Sequence, residues 1–261
     1  MLMRTRLYTT QLQAGLGLLD ETRALLTLWR PGMNGPTLFD AALSSGAFPG
    51  VTARRLRNVV AECFAPRYLV DSGAPATHLQ MLLDRLPTPQ IAELMYLFTA
   101  RANLVLADFA RSVYWPKYAA GAGTLTAKDA RNFIQRALDD ERMGKRWSDT
   151  TARRVSGYLL GACEDYGLLR RVSRTNLEIF APRMSVNVAA YLAHDLHFAG
   201  LGDARVISHE DWQLFGLSTE DVLDELKRVG SEGHLIVQTG GGVTRLSWKH
   251  ENMEELCREL N

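Results

Sequence analysis

Leu12, Leu16, Leu19, Leu25, Leu26 and Trp29 recur near the 3.6-residue helical period, and Pro31-Gly32 then stops them. Helical apolar spacing broken by proline or glycine repeats along almost the whole chain, and it leaves little room for anything but a mainly helical fold. A short helix is predicted from Pro36 to Leu43, then turn chemistry from Ser44 to Gly50, then a helix capped by Thr52 that runs toward Phe64 and is ended by Pro66. Asp71 to Pro75 has the composition of a linker. Another helix covers Thr77 to Leu86, and Thr88-Pro89 opens a long one reaching about Val113, before Trp115-Pro116.

Further along, Thr126 caps a helix through Asp139, a turn holds Gly144, and Ser148 or Thr150 opens a second long helix ending near Gly167. Leu168 to Val172 and Leu177 to Ala181 are short extended runs joined by Ser173-Arg174-Thr175-Asn176. Helix, turn, helix, hairpin is the order of a winged helix. Helices are predicted from Val186 to Phe198, from Thr219 to Val229 behind a Ser218 cap, and from Glu251 to Leu260. Between the last two, Leu235 to Gln238 and Val243 to Trp248 flank Thr239-Gly240-Gly241-Gly242 as a hairpin. The expectation is a mainly α, compact protein with two helix-turn-helix units and short β-hairpin wings near 168–182 and 234–248. It divides into an N-terminal region 1–70, a central region 71–182 and an acidic, winged-helix-like region 183–261.

With 46% hydrophobic and 23% charged residues, the 261-residue chain can bury a core without disulfides or metals, and long disorder does not fit. Every apolar run is cut well short of the roughly 20 residues a membrane helix needs. Arg4, Arg6, Gln11, Gln13 and Asp20 interrupt the apolar core a signal peptide requires, so a cytoplasmic protein is expected. Cys63, Cys163 and Cys257 are odd in number, widely spaced and without zinc-knuckle partners, as befits small buried hydrophobes.

A formal net charge of +1 conceals an uneven distribution. Residues 1–70 sum to +4, 71–100 to −2, 101–182 to +5 and 183–261 to −6. Two basic blocks point to a polyanion partner, and an acidic block to a protein partner. Within the basic blocks Thr-Ala-Arg-Arg occurs twice, at Thr52 to Arg55 and Thr151 to Arg154, each time after a turn and near a predicted helix start. If Ala53, Leu56, Val59, Val60 and Cys63 face the core, then Arg54 and Asn58 point outward with Arg55 and Arg57 on the flanks. In the second helix Ala152, Val155, Leu159, Ala162 and Tyr166 make the core face, Arg153 points out, and Arg154 and Ser156 lie on the flanks. Lys145 and Arg146 in the preceding turn are placed for phosphates. Outward Arg and Asn read base edges only if the helix enters a major groove. The alternative is that these arginines are solvated or paired with acids such as Glu62, Asp149 and Glu164.

Catalytic patterns fit less well. His194, Asp195 and His197 share a helix near Asp203, His209, Glu210 and Asp211, but the spacing matches no known ligand set, so no metal is expected. Gly144-Lys145 is not a phosphate-binding loop: Asp139 replaces its first glycine and Arg146 its hydroxyl. The glycines at 240–242 lie between extended runs, where a hairpin turn explains them. Trp115, Trp147, Trp212 and Trp248 are expected as core anchors.

The segments Tyr8-Thr9-Thr10-Gln11-Leu12 with Gly15, Leu18 to Arg23, Thr52 to Asn58, Tyr114-Trp115-Pro116, and Trp147-Ser148 leading to Arg153-Arg154-Val155 together resemble the BrxA family. So do Leu196-His197-Phe198, Asp211-Trp212, Leu214 to Leu217 and Leu235 to Gln238. BrxA is a core component of bacteriophage exclusion (BREX) systems. The resemblance implies a helical, DNA-binding protein with two helix-turn-helix units and no enzymatic activity, the units falling on the two Thr-Ala-Arg-Arg segments. Duplex DNA and other BREX proteins are then the expected partners, with no membrane, cofactor or small-molecule substrate.

Overall fold

The computed structural model describes residues 7–14, 17–173 and 176–261. Gly15, Leu16, Arg174 and Thr175, as well as Arg4 and Arg6, lie outside them. The chain divides into two units, Met1–Ala76 with Met95–Pro182, and Thr77–Leu94 with Arg183–Asn261. Among the described residues no helix is long and apolar enough to cross a membrane.

In the first unit, α1 (Leu19–Leu28) follows a short 3-10 turn, Gln11–Ala14, and Leu18 at φ 51 makes the break between them. The periodicity from Leu12 to Trp29 therefore belongs to two elements rather than one helix. Helix α2 (Gly35–Ser45) starts on Asn34, whose side chain accepts from Thr37 N at 3.0 Å, with Pro36 in its first turn. Helix α3 (Ala53–Asn58) continues as a π-helical segment, Val59–Phe64, and then as α4 (Ala65–Tyr68), so the helix passes through Pro66 instead of ending there. The physical reason is local. Ala65 N–H bonds to Val60 O, five residues back, and this widened turn absorbs the missing proline N–H and keeps its ring clear of the turn before.

Asp71–Gly73, predicted as linker, form a 3-10 turn closed against Trp29; a Cβ on Gly73 would sit 2.7 Å from Trp29 Cζ2, and its φ of +85° suits only glycine. Helices α5 (Ala74–Leu82) and α6 (Thr88–Ala102) carry the chain across the unit boundary twice. The long helix expected to reach Val113 breaks at buried Asn103, whose Nδ2 donates to Thr99 O. Helix α7 (Leu104–Phe109), a second π segment, Ala110–Tyr114, and α8 (Trp115–Ala119) then repeat the proline device: Trp115 N–H bonds to Ala110 O ahead of Pro116.

The rest of this unit is β1 (Thr124–Leu125), α9 (Ala127–Asp139), α10 (Asp149–Asp165), β2 (Leu169–Arg171) and β3 (Leu177–Ile179). The strands form an antiparallel sheet in the order β1-β3-β2, with Arg170 opposite Glu178. Tyr114 Oη lies 2.7 Å from Leu168 O and 2.9 Å from Phe180 O, tying the base of the hairpin to the helical core. Phe64, Tyr68, Phe109, Tyr114 and Trp29 fill that core. Each such side chain contributes roughly 1.5–3 kcal/mol by leaving water.

The second unit is built around α11 (Val186–Phe198), buried on nearly every side. Around it lie α12 (Asp203–Ile207), α13 (Thr219–Ser231), the β4–β5 hairpin (Leu235–Gly240 and Val243–Trp248) and α14 (Met253–Glu259). Gly241 and Gly242 both have positive φ, which a two-residue hairpin loop of type I′ demands. His78 from α5 meets Tyr191 Oη at 2.7 Å, and Glu93 from α6 accepts from Ser185 N at 2.9 Å. Of the tryptophans expected as anchors, Trp212 is fully buried, while Trp115, Trp147 and Trp248 are only half-buried. All three cysteines are buried and unpaired.

Candidate nucleic-acid interface

The unit boundaries sharpen the charge split. The first unit holds 22 basic and 14 acidic residues, a formal +8, and the second holds 8 basic and 15 acidic, a formal −7. The candidate residues all lie in the first.

At the first Thr-Ala-Arg-Arg segment Thr52 is the helix cap, its Oγ1 accepting from Arg55 N at 3.2 Å. Arg54, Arg55, Arg57 and Asn58 are exposed on α3, over Leu56, Val59, Val60 and Cys63, which are buried. Ala53 is exposed as well, against its expected place on the core face, because the first turn of so short a helix projects past the core. Arg57 lies over the Phe39 ring at 4.9 Å, beside Asp40 in a shallow groove, which fixes its direction. Arg55 lines a 440 Å³ cleft with Asp20, Glu21 and Asp165.

At the second segment the cap is Ser148, whose Oγ accepts from Thr151 N at 3.3 Å, and the repeated tetrapeptide begins only at the third helical residue. Thr151 is half-buried there, its hydroxyl 3.1 Å from that of Ser148. Arg153 and Arg154 are exposed over Val155 and Leu159, which are buried, and Lys145 and Arg146 are exposed in the connection from α9. Ser156 is not a surface residue: it is 3% exposed and its hydroxyl donates to Ala152 O at 2.8 Å. Straight helical register turns it one step further toward the core than the flank predicted from sequence.

Two groups result, and the fold does not merge them. Arg55 shares its cleft with Asp165 at the C-terminal end of α10, whereas Arg153 lies twelve residues earlier on that helix, roughly 18 Å away at 1.5 Å per residue. Sequence reasoning missed the basic hairpin that follows the C-terminal end of α10, the end away from Arg153. Arg171 is held by Glu164, Nη2 to Oε2 at 2.6 Å, and Arg170 lies over the Phe180 ring at 4.7 Å. The paired arginines at 170–171 were a signal for it.

The residues around His194 and His197, for which no metal is expected from sequence, make other contacts. His194 Nδ1 donates to Ala190 O at 2.7 Å, His197 stacks on Trp248 at 4.2 Å, and Asp203 accepts from Leu246 N. His209 accepts from Asp211 N at the start of a 3-10 turn.

The family described as BrxA matches the chain over residues 6–195, roughly three quarters of its length. No curated protein matches it. Among solved structures, an uncharacterized protein from Magnetospirillum magneticum superposes with a TM-score of 0.60 at 14% identity, covering 81% of this chain and 99% of the other. At that identity the likeness is one of fold.

Proposed function

The chain belongs to the BrxA family of bacteriophage exclusion (BREX) phage-defence components, and from that premise we propose that it is a non-enzymatic cytoplasmic protein that binds duplex DNA through two helix-turn-helix units. The observation that carries this reading is the segregation of charge: a +8 unit that exposes Arg54, Arg55, Arg153, Arg154, Lys145 and Arg146 near two helix starts. The net positive charge of that unit attracts a polyanion, and the helix starts add backbone N–H donors for phosphate. The succession α9, α10, β2, β3, with β1 completing the sheet, is the layout of a winged helix, so α10 is the helix to place in the major groove. Lys145 and Arg146 then meet the backbone, and Arg153 and Arg154 the groove.

Mobility shifts of the full chain with duplex DNA, single-stranded DNA and RNA across a salt series test this. Duplex affinity should be micromolar or tighter at low salt, and log Kd should rise linearly with log salt. Affinity indifferent to salt, or no duplex binding at low salt, overturns it. The −7 unit favours a second, compatible reading, in which that unit contacts other defence proteins through their basic surfaces.

A further inference from the structure

The second unit gathers three histidines and a glutamate that lie far apart in sequence. One ligand atom each from His234, His250 and Glu259 fall within 4.8 Å of one another. His234 is 8% exposed and its buried Nδ1 has no hydrogen-bond partner; His250 is 4% exposed. His250 Nε2 stands 3.1 Å from Glu259 Oε2, close to the roughly 3.3 Å edge of a tetrahedron with ligands at 2.0–2.1 Å.

The hydrogen-bond chain behind His250 sets its tautomer. Ala190 O can only accept, so His194 Nδ1 carries the proton in their 2.7 Å contact, and His194 Nε2 is left as the acceptor for His250 Nδ1–H at 3.4 Å. The other nitrogen of a neutral His250, Nε2, then turns a lone pair toward the lone pairs of a carboxylate. A proton or a metal ion between them resolves that juxtaposition, and the third member of the cluster, His234, carries a buried Nδ1 with no hydrogen-bond partner. We propose that His234, His250 and Glu259 bind one divalent transition-metal ion of zinc-like preference, with His194 orienting His250 from behind. Two imidazoles and a carboxylate suit that class, and a buried ring nitrogen bonded to its supporting partner is the usual arrangement around such an ion. The site departs from the sequence expectation of no metal, and its three ligand residues lie beyond residues 6–195, outside the family match.

Lys249 Nζ, 2.7 Å from Glu259 Oε2, holds part of the same charge from the solvent side. Its side chain is 54% exposed and free to swing away, so it competes with the ion rather than blocking it. The test is a cobalt(II) titration of the tag-free, chelator-stripped full chain, read by visible absorption, with zinc back-titration and the metal content of protein purified from zinc-supplemented cells. One equivalent per chain is expected, with the visible band of low-coordinate cobalt displaced by zinc. His234→Ala and Glu259→Gln should each weaken binding at least tenfold while the circular dichroism spectrum is kept, and Lys249→Met should tighten it. No saturable cobalt or zinc binding by folded wild-type protein overturns the proposal. So does binding that survives both ligand substitutions.

Discussion

The two Thr-Ala-Arg-Arg segments are identical in sequence and differ in what the fold makes of them. In the first, Thr52 is the cap, so Arg54 and Arg55 stand in the opening turn of a helix that becomes π-helical after six residues. In the second, Ser148 is the cap three residues earlier, so Arg153 and Arg154 stand one turn inside a straight helix of 17 residues that leads into a hairpin. Acids share the setting of the first pair: Asp20, Glu21 and Asp165 line the same cleft as Arg55. The second pair lies beside exposed Lys145 and Arg146. A repeated motif does not carry a repeated environment, and the second copy is the stronger candidate for phosphate and groove contacts.

The sharpest way to break that ranking is to compare the arginine pairs directly. Arg153→Ala with Arg154→Ala should weaken duplex binding by more than tenfold in mobility shifts and flatten its sequence preference, as the loss of groove contacts requires. If thermal unfolding shows this variant misfolded, the pair is structural. Next come the caps: Thr52→Ala and Ser148→Ala should each cost about 1 kcal/mol in denaturant unfolding, because each leaves a first-turn N–H unsatisfied. A cost confined to Ser148→Ala would mean that the α3 start is held by its neighbours instead.

Arg54→Ala with Arg55→Ala should have the smaller effect on DNA, a few-fold loss of affinity and a slope change of about 1, since the acids Asp20, Glu21 and Asp165 line the same cleft as Arg55 and offset its attraction for phosphate. A loss equal to that of the second pair would erase the distinction. The smallest effect belongs to the acidic unit. Glu220, Asp224 and Glu232 are exposed, and reversing them to Lys should leave duplex affinity equal or slightly tighter while impairing assembly with other defence proteins. Weaker DNA binding by this folded variant would show that the −7 unit shapes the DNA site.

What the sequence determined by itself was local. The caps at Thr52, Thr126, Ser148 and Ser218 and the helices over 127–139, 149–165 and 186–198 rest on interactions within a few residues, and each is where its pattern placed it, while the hairpin turn expected over Thr239 to Gly242 narrows to Gly241-Gly242 because Thr239 and Gly240 pair in the ladder. Burial of Cys63, Cys163 and Cys257 followed from residue type. Prolines were the first point of failure. Pro66 and Pro116 carry strong stop signals, yet in both cases a widened turn, held by core packing of Phe64, Tyr68, Phe109 and Tyr114, lets the helix continue. Ser156 was misplaced by one step of helical register, and the cleft that Arg55 shares with Asp165 was unforeseen because nothing nearby in sequence announces Asp165. His234, His250 and Glu259 were invisible for the same reason. No short-range spacing links them, and only the closure of the β4–β5 hairpin and α14 against α11 brings their ligand atoms within 4.8 Å. Such contacts depend on how apolar faces pack across long stretches of chain, and one-dimensional patterns of charge and hydrophobicity do not encode that distance.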